Sequence, residues 1–152
     1  EDRWPDLAAR TLSQGEDAAT GDELAALTTA AGTVLTAPAL AHIFGHDALL
    51  EVPITAQLDA LNGRRIHGII DRLIVTPDRV LAIDYKTNAI IPDTPETCPD
   101  GLLRQMGAYA HALGQLYPDR QIETALLWTK TARLMPLPHD LVTAALRNTH
   151  IP

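Results

Sequence analysis

Residues 65–86 read RIHGIIDRLIVTPDRVLAIDYK, two β-prone runs around a turn. Arg65 to Thr76 is rich in Ile and Val, Pro77-Asp78 makes the turn, and Val80 to Lys86 forms the next strand. Side chains alternate across a strand, so Asp84 and Lys86 share one face with Val80 and Ala82, while Leu81, Ile83 and Tyr85 take the other. Both faces are largely apolar, as in a central strand covered on two sides. In a hairpin centred near residues 77 and 78, Asp84 pairs with a position around 71. Facing carboxylates repel across a ladder, and an Asp and a Lys on such a strand are costly to bury without partners. A divalent cation between Asp71 and Asp84 removes the repulsion, and Mg2+ is served by one or two carboxylates plus waters and phosphate oxygens. Lys86 then reaches the attacking water or the phosphate. The constellation suits phosphodiester hydrolysis.

The elements on either side complete an α/β domain. Upstream, Asp6 to about Ala31 is Ala- and Leu-rich at helical intervals, with a break and new start at Gly21-Asp22-Glu23. Thr36-Ala37-Pro38 caps a short helix through Ile43, ended by Gly45. Glu51 to Leu58 is a strand, and Asn62-Gly63 turns it into the next. Downstream, a proline-rich loop holding Cys98 leads to a helix opened by Asp100 and stopped by Pro118. Ile122 to Lys130 is a further strand, Arg133 to Leu137 its partner, and Asp140 to Asn148 a closing helix. On the central helix Leu102, Leu103, Met106, Ala110, Leu113 and Leu116 form a stripe that packs on the sheet. Gln105 and Tyr109 sit four apart on one face, where they could hold a DNA strand by a hydrogen bond and a stacked ring.

Composition narrows the classes. The chain has 152 residues, enough for one domain with a real core, and only 4% aromatics, so that core is mainly Leu, Ile, Val and Ala. No run approaches the roughly 20 apolar residues that cross a bilayer, and no signal-peptide pattern opens the chain. A single cysteine excludes an internal disulfide framework and a Cys-rich zinc site, and suits a reducing, cytoplasmic setting. The net charge of -7 argues against a nucleic-acid partner until its distribution is read. Residues 1–50 hold eight acids and two bases, whereas residues 64–88 hold five bases against three acids. The middle of the chain could therefore face a phosphate backbone.

Three segments in order carry a specific resemblance: Gly68-Ile69-Ile70-Asp71-Arg72, Asp84-Tyr85-Lys86-Thr87 and Gln105-Met106-Gly107-Ala108-Tyr109. They resemble the G-x-x-D-R, D-Y-K-T and Q-x-x-x-Y motifs of RecB-family nucleases, members of the PD-(D/E)XK superfamily with a restriction-endonuclease-like fold. The likeness runs over about residues 51 to 138, with Leu126-Leu127-Trp128-Thr129 and Arg133-Leu134 similar to the AddA version of the later strands. It implies a mixed sheet, an antiparallel three-stranded meander plus a further strand, flanked by helices. In that frame residues 1–50 are an N-terminal helical segment, residues 51–152 the nuclease core, and the whole a single domain of a longer helicase–nuclease chain. The resemblance further implies Mg2+, with Mn2+ as a substitute, held by Asp71, Asp84 and the backbone carbonyl of Tyr85. Lys86 orients or activates the water, Gln105 and Tyr109 complete the substrate side, and Glu51 is an upstream acid acting through water. The activity implied is a deoxyribonuclease (exonuclease) acting on single-stranded DNA at a processed end during double-strand break repair, beside an ATP-dependent helicase and an AddB-type partner subunit. The chain departs from the family pattern at one point. The G-x-x-x-H motif does not occur before Glu51, and His42 has the wrong context, so the histidine is expected upstream of this segment.

Plainer readings stand beside these. Asp71-Arg72 alone is a surface pair, Glu51 a solvated edge residue, Gln105 a helix-surface residue, and Tyr109 a core ring with a satisfied hydroxyl. His67 shares the parity of Asp71, which in a regular strand puts both on one side. His111, His139 and His150 read as surface residues and Cys98 as incidental. Arg64, Arg65 and Arg79 are solubilising charges or phosphate contacts. A non-catalytic domain of the same fold that guides DNA or supports subunit contacts is the alternative function.

Overall fold

Five strands form one sheet in the order β1-β2-β3-β4-β5: β1 Ala48–Leu58, β2 Arg64–Val75, β3 Arg79–Lys86, β4 Gln121–Trp128 and β5 Arg133–Leu137. The structure is a computed structural model that describes residues 3–14, 18–45, 47–88 and 90–148. The acids Glu1, Asp2, Glu16 and Asp17, and His150, lie outside the described residues. The expected meander of three antiparallel strands is present, as β1, β2 and β3. The further strand β4 runs parallel to β3, and β5 returns antiparallel to β4, so the sheet is mixed. A parallel pair requires a crossover, and the helix α3 Asp100–Leu116 supplies it. The outermost strands β1 and β5 carry Pro53 and Pro136.

The sheet is covered on both faces, as the apolar character of β3 anticipates. On one side α3 and α4 (His139–Arg147) enclose Val80, Ala82, Leu126, Trp128, Met106, Leu113 and Val142. On the other, the 3-10 turn Pro38–Ile43 and helix α2 Gly21–Thr36 bring Leu40, Ile43 and Val34 onto Leu81, Ile83, Ala125 and Leu127. Each large side chain so buried contributes roughly 1.5–3 kcal/mol. Helix α1 spans Trp4–Leu12. Helix α2 starts where Gly21 follows Thr20, whose N–H and hydroxyl both donate to the Glu23 carboxylate at 2.9 and 2.7 Å, a reciprocal cap.

Helices α3 and α4 approach closely because Gly107 has no side chain. A Cβ there would lie 2.2 Å from the Val142 carbonyl oxygen and 3.0 Å from Leu146 Cβ. Between β1 and β2, Asn62 and Gly63 both take positive φ, 54° and 72°, but after a short 3-10 turn at Asp59–Leu61, so the connection is longer than a two-residue hairpin.

Candidate active site

The turn at Pro77-Asp78 sets Arg72 opposite Ile83 and Leu73 opposite Ala82, a register that carries Asp71 across from Asp84 as expected. One strand further out the pattern breaks. In the β1–β2 ladder Leu50 pairs with Arg72 and Val52 with Ile70, but the rung between them, Glu51 and Asp71, is not formed. Glu51 takes φ 48° there, a conformation that costs roughly 1–2 kcal/mol for a residue bearing a Cβ. The facing of β2 changes phase at this point. Ile66 and Ile70 pack toward α3, and so do Leu73 and Val75, an even series giving way to an odd one.

That shift corrects the reading of His67. Parity across an irregular strand does not hold, and His67 is exposed with its Nδ1 3.0 Å from the Thr55 hydroxyl. The other histidines divide. His111 is not a surface residue, for it is half-buried and its Nε2 is enclosed with no hydrogen-bond partner. His139 is exposed as expected.

Asp84 is 4% exposed at the end of β3. Its Oδ2 lies 2.5 Å from Lys86 Nζ, and its Oδ1 accepts a 2.8 Å hydrogen bond from Gln105 Nε2. Lys86 Nζ also donates to Gln105 Oε1 at 3.3 Å. The three side chains therefore close a ring, with the amide oxygen toward the ammonium and the amide nitrogen toward the carboxylate. Burial pushes the Asp84 carboxyl above the usual carboxylate range. The Lys86 contact pulls it down and the nearby Asp71 charge adds to the rise. Asp71 Oδ2 in turn accepts a 2.6 Å hydrogen bond from the backbone N–H of Tyr85. Thr129 fastens the same strand end, its N–H and hydroxyl both donating to the Lys86 carbonyl at 3.0 and 3.2 Å.

Gln105 also donates to the Tyr109 hydroxyl at 3.1 Å, and that hydroxyl donates to the Ile69 carbonyl at 2.8 Å. The ring of Tyr109 is 5% exposed, so it offers no face to a base, and the stacking expected from the sequence gives way to the plainer reading of a core ring with a bonded hydroxyl. It holds Gln105 from behind. Room for it comes from Gly68, where a Cβ would meet Tyr109 Cε1 at 2.8 Å and its hydroxyl at 3.0 Å. A glycine inside a strand is the sequence signal for such a close approach. Gly68→Ala is expected to displace the ring and lower stability by about 1–3 kcal/mol. If Gln105 then loses its backing, catalytic turnover falls about tenfold; a melting curve and a cleavage assay unchanged by the substitution would show that the ring has slack.

The donor set fits a hard divalent cation. Asp84 Oδ2 is buried with the Lys86 ammonium against it but no well-directed hydrogen bond, so it retains unsatisfied acceptor capacity. Asp71 stands across the strand pair, and the Tyr85 peptide lies between the two. Among the described residues no three His, Cys, Asp or Glu side chains gather as a ligand cluster. Zinc would ask for such a set, whereas Mg2+ is commonly held by one or two carboxylates with several waters. The Glu51 side chain is exposed on the neighbouring strand and does not join a cluster of acids.

The sequence profile of the PD-(D/E)XK nuclease superfamily matches residues 1–144. The chain belongs to that superfamily. The α/β fold, with its five-stranded mixed sheet between helices, agrees with the restriction-endonuclease-like core of PD-(D/E)XK proteins. The chain is also similar to the AddA component of the ATP-dependent helicase/nuclease of Pediococcus pentosaceus, 33% identical over 76 residues, which is 47% of this chain and 6% of the relative. It thus matches a small part of that protein's length. No helix among the described residues is long and apolar enough to cross a membrane.

Arg72, Gly68 and the Tyr85 amide are the parts of this PD-(D/E)XK site whose work the sequence did not reveal. Arg72 turns away from the acids and donates from Nε to the Tyr85 hydroxyl at 2.7 Å. A tyrosine next to an acid on a strand signals the opposite face, not this bond.

Proposed function

We propose that the chain is a Mg2+-dependent nuclease domain that hydrolyses DNA phosphodiester bonds, one domain of a longer AddA-type helicase–nuclease. The observation that carries the reading is the closed ring of Asp84, Lys86 and Gln105 with Asp71 across the hairpin. Asp71, Asp84 and the Tyr85 carbonyl would hold the cation, which when bound polarises the phosphate and lowers the pKa of an attached water. Lys86 presents its ammonium to the attacking water or a phosphate oxygen. Gln105 keeps that ammonium and the Asp84 carboxylate in register, and Tyr109 anchors Gln105. Glu51, in its strained backbone position beside Asp71, acts through water. Mn2+ substitutes for Mg2+ because it shares the octahedral oxygen preference.

The substrate in this reading is single-stranded DNA at a processed double-strand end, cut exonucleolytically. An AddB-type protein is the partner, and the cytoplasm, where the lone Cys98 stays reduced, is the compartment. The similarity to a helicase/nuclease component supports that setting.

Labelled single-stranded DNA incubated with the chain and Mg2+ is expected to be shortened, with EDTA stopping the reaction. Asp71→Asn and Asp84→Asn should each lose at least a hundredfold in rate, about 2.7 kcal/mol of transition-state stabilisation. Absence of cleavage even in the full helicase–nuclease with its AddB-type partner would overturn the catalytic reading in favour of a DNA-guiding domain.

A further inference from the structure

Asp71 and Arg72 are consecutive, yet the irregular stretch of β2 sends them to opposite faces of the sheet. Asp71 reaches the backbone N–H of Tyr85 at 2.6 Å. Arg72 reaches the hydroxyl of the same tyrosine at 2.7 Å. Residues 71, 72 and 85 are thus tied twice across β2 and β3, one tie on each face, at the point where their regular ladder ends at Arg72 and Ile83.

The Arg72 guanidinium continues outward. Its Nη1 donates to the Ile43 carbonyl at 2.8 Å, and its centre lies 4.7 Å from the centroid of the Phe44 ring. Ile43 itself is fully buried in the second core, beside Leu40 and Leu127. Among the described residues Arg72 makes no ion pair with a carboxylate. A half-buried cation served by a phenol oxygen, a carbonyl and a ring is held by geometry, because a neutral acceptor set offers no counter-charge. The planar guanidinium fixes the spacing of the groups it binds, which a flexible ammonium cannot do.

Resting on the nuclease reading above, we propose that Arg72 is a positioning residue that couples the docked end of the N-terminal segment, Ile43-Phe44, to the cation-binding acid Asp71. Seating of Ile43 and Phe44 orients the guanidinium. The guanidinium holds the Tyr85 side chain, and the Tyr85 peptide holds the Asp71 carboxylate. Coupling of this kind is reciprocal, so a cation bound at Asp71 steadies residues 40–45, and loosening those residues weakens the cation. Whatever displaces the N-terminal segment in the longer chain would then lower the affinity of the site without touching it.

The test is the dissociation constant of Mn2+ measured by calorimetry on the folded chain, with amide hydrogen exchange at residues 40–45 followed with and without Mn2+. In the unsubstituted chain Mn2+ is expected to slow exchange at residues 40–45. Arg72→Gln should weaken Mn2+ about tenfold, the worth of one hydrogen bond to a charged group, and remove the slowing. Arg72→Lys should fail to rescue either readout, and Tyr85→Phe, which keeps the Ile43 tie, should fall between. A residue that only supports the fold would lower the melting temperature in Arg72→Gln while leaving Mn2+ affinity and the exchange response unchanged, and that result overturns the coupling alone. An unsubstituted chain that binds no Mn2+ overturns the metal reading, and the coupling with it.

Discussion

Lys86→Ala is expected to slow DNA cleavage by roughly a hundred- to a thousandfold, the usual loss when one preorganised donor to a developing charge is removed. The side chain is 17% exposed and the Asp84 side chain 5%, with 2.5 Å between ammonium and carboxylate. Both therefore lie where screening is weak. The Asp84 carboxyl is already raised by burial, and Lys86 opposes that rise. Its removal leaves a buried carboxylate with Asp71 nearby and no cation against it, so Asp84 is pushed further toward its protonated form, which binds a metal poorly. Breaking a buried pair from one side also destabilises by about 3–5 kcal/mol, so the rate should be compared per folded molecule, with folding followed by circular dichroism. Lys130→Ala serves as the control, because Lys130 is an exposed lysine beyond the end of β4. Cleavage by Lys86→Ala within a few-fold of the unsubstituted chain would remove Lys86 from the chemistry.

Gly107→Ala is expected to be the most damaging of the small core substitutions, with no direct effect on the chemical groups. The added methyl would sit 2.2 Å from a backbone oxygen, that of Val142, and 3.0 Å from Leu146 Cβ. A carbonyl in the middle of α4 cannot swing aside as a side chain can, so α4 must move away from α3 as a body. Overpacking of this kind costs about 1–3 kcal/mol and occasionally more. Alanine returns up to about 1 kcal/mol through its better helix propensity. A net loss of about 2 kcal/mol corresponds to a melting temperature lower by roughly 4–8 °C for a chain of this size. Gly114→Ala on the same helix meets nothing within 4 Å, and it should raise stability slightly for the same propensity reason. Equal melting temperatures for the two variants would show that α4 is free to shift.

The local parts of this site were legible in the sequence and the long-range parts were not. The Pro77-Asp78 turn lies six residues from Asp71 and six from Asp84, so the turn alone dictates which strand positions meet, and the expected pairing is the one observed. The Gln105–Tyr109 spacing likewise placed both on one helical face. Which way that face points depends on how α3 sits over β2, and so the burial of Tyr109 follows only from the packing of its ring on Gly68. Parity misplaces His67 because counting assumes an unbroken strand, and the left-handed backbone at Glu51 marks a break. Arg72 was readable as a surface partner of Asp71, since its actual partners lie 13 residues later at Tyr85 and 29 residues earlier at Ile43. No periodicity reports contacts of that range.

The prolines on the two outermost strands have a consequence for assembly. A sheet grows when an exposed rim offers a continuous row of amide donors and carbonyl acceptors to an incoming strand. Pro53 interrupts the row on β1 and Pro136 interrupts it on β5, each by removing a donor. Neither rim is a good template for strand addition, so both fibril-like stacking of copies and capture of an extended peptide are disfavoured. A stable neighbour of this domain is then expected to dock through side chains on its helices and loops, leaving the five-stranded sheet at its present width.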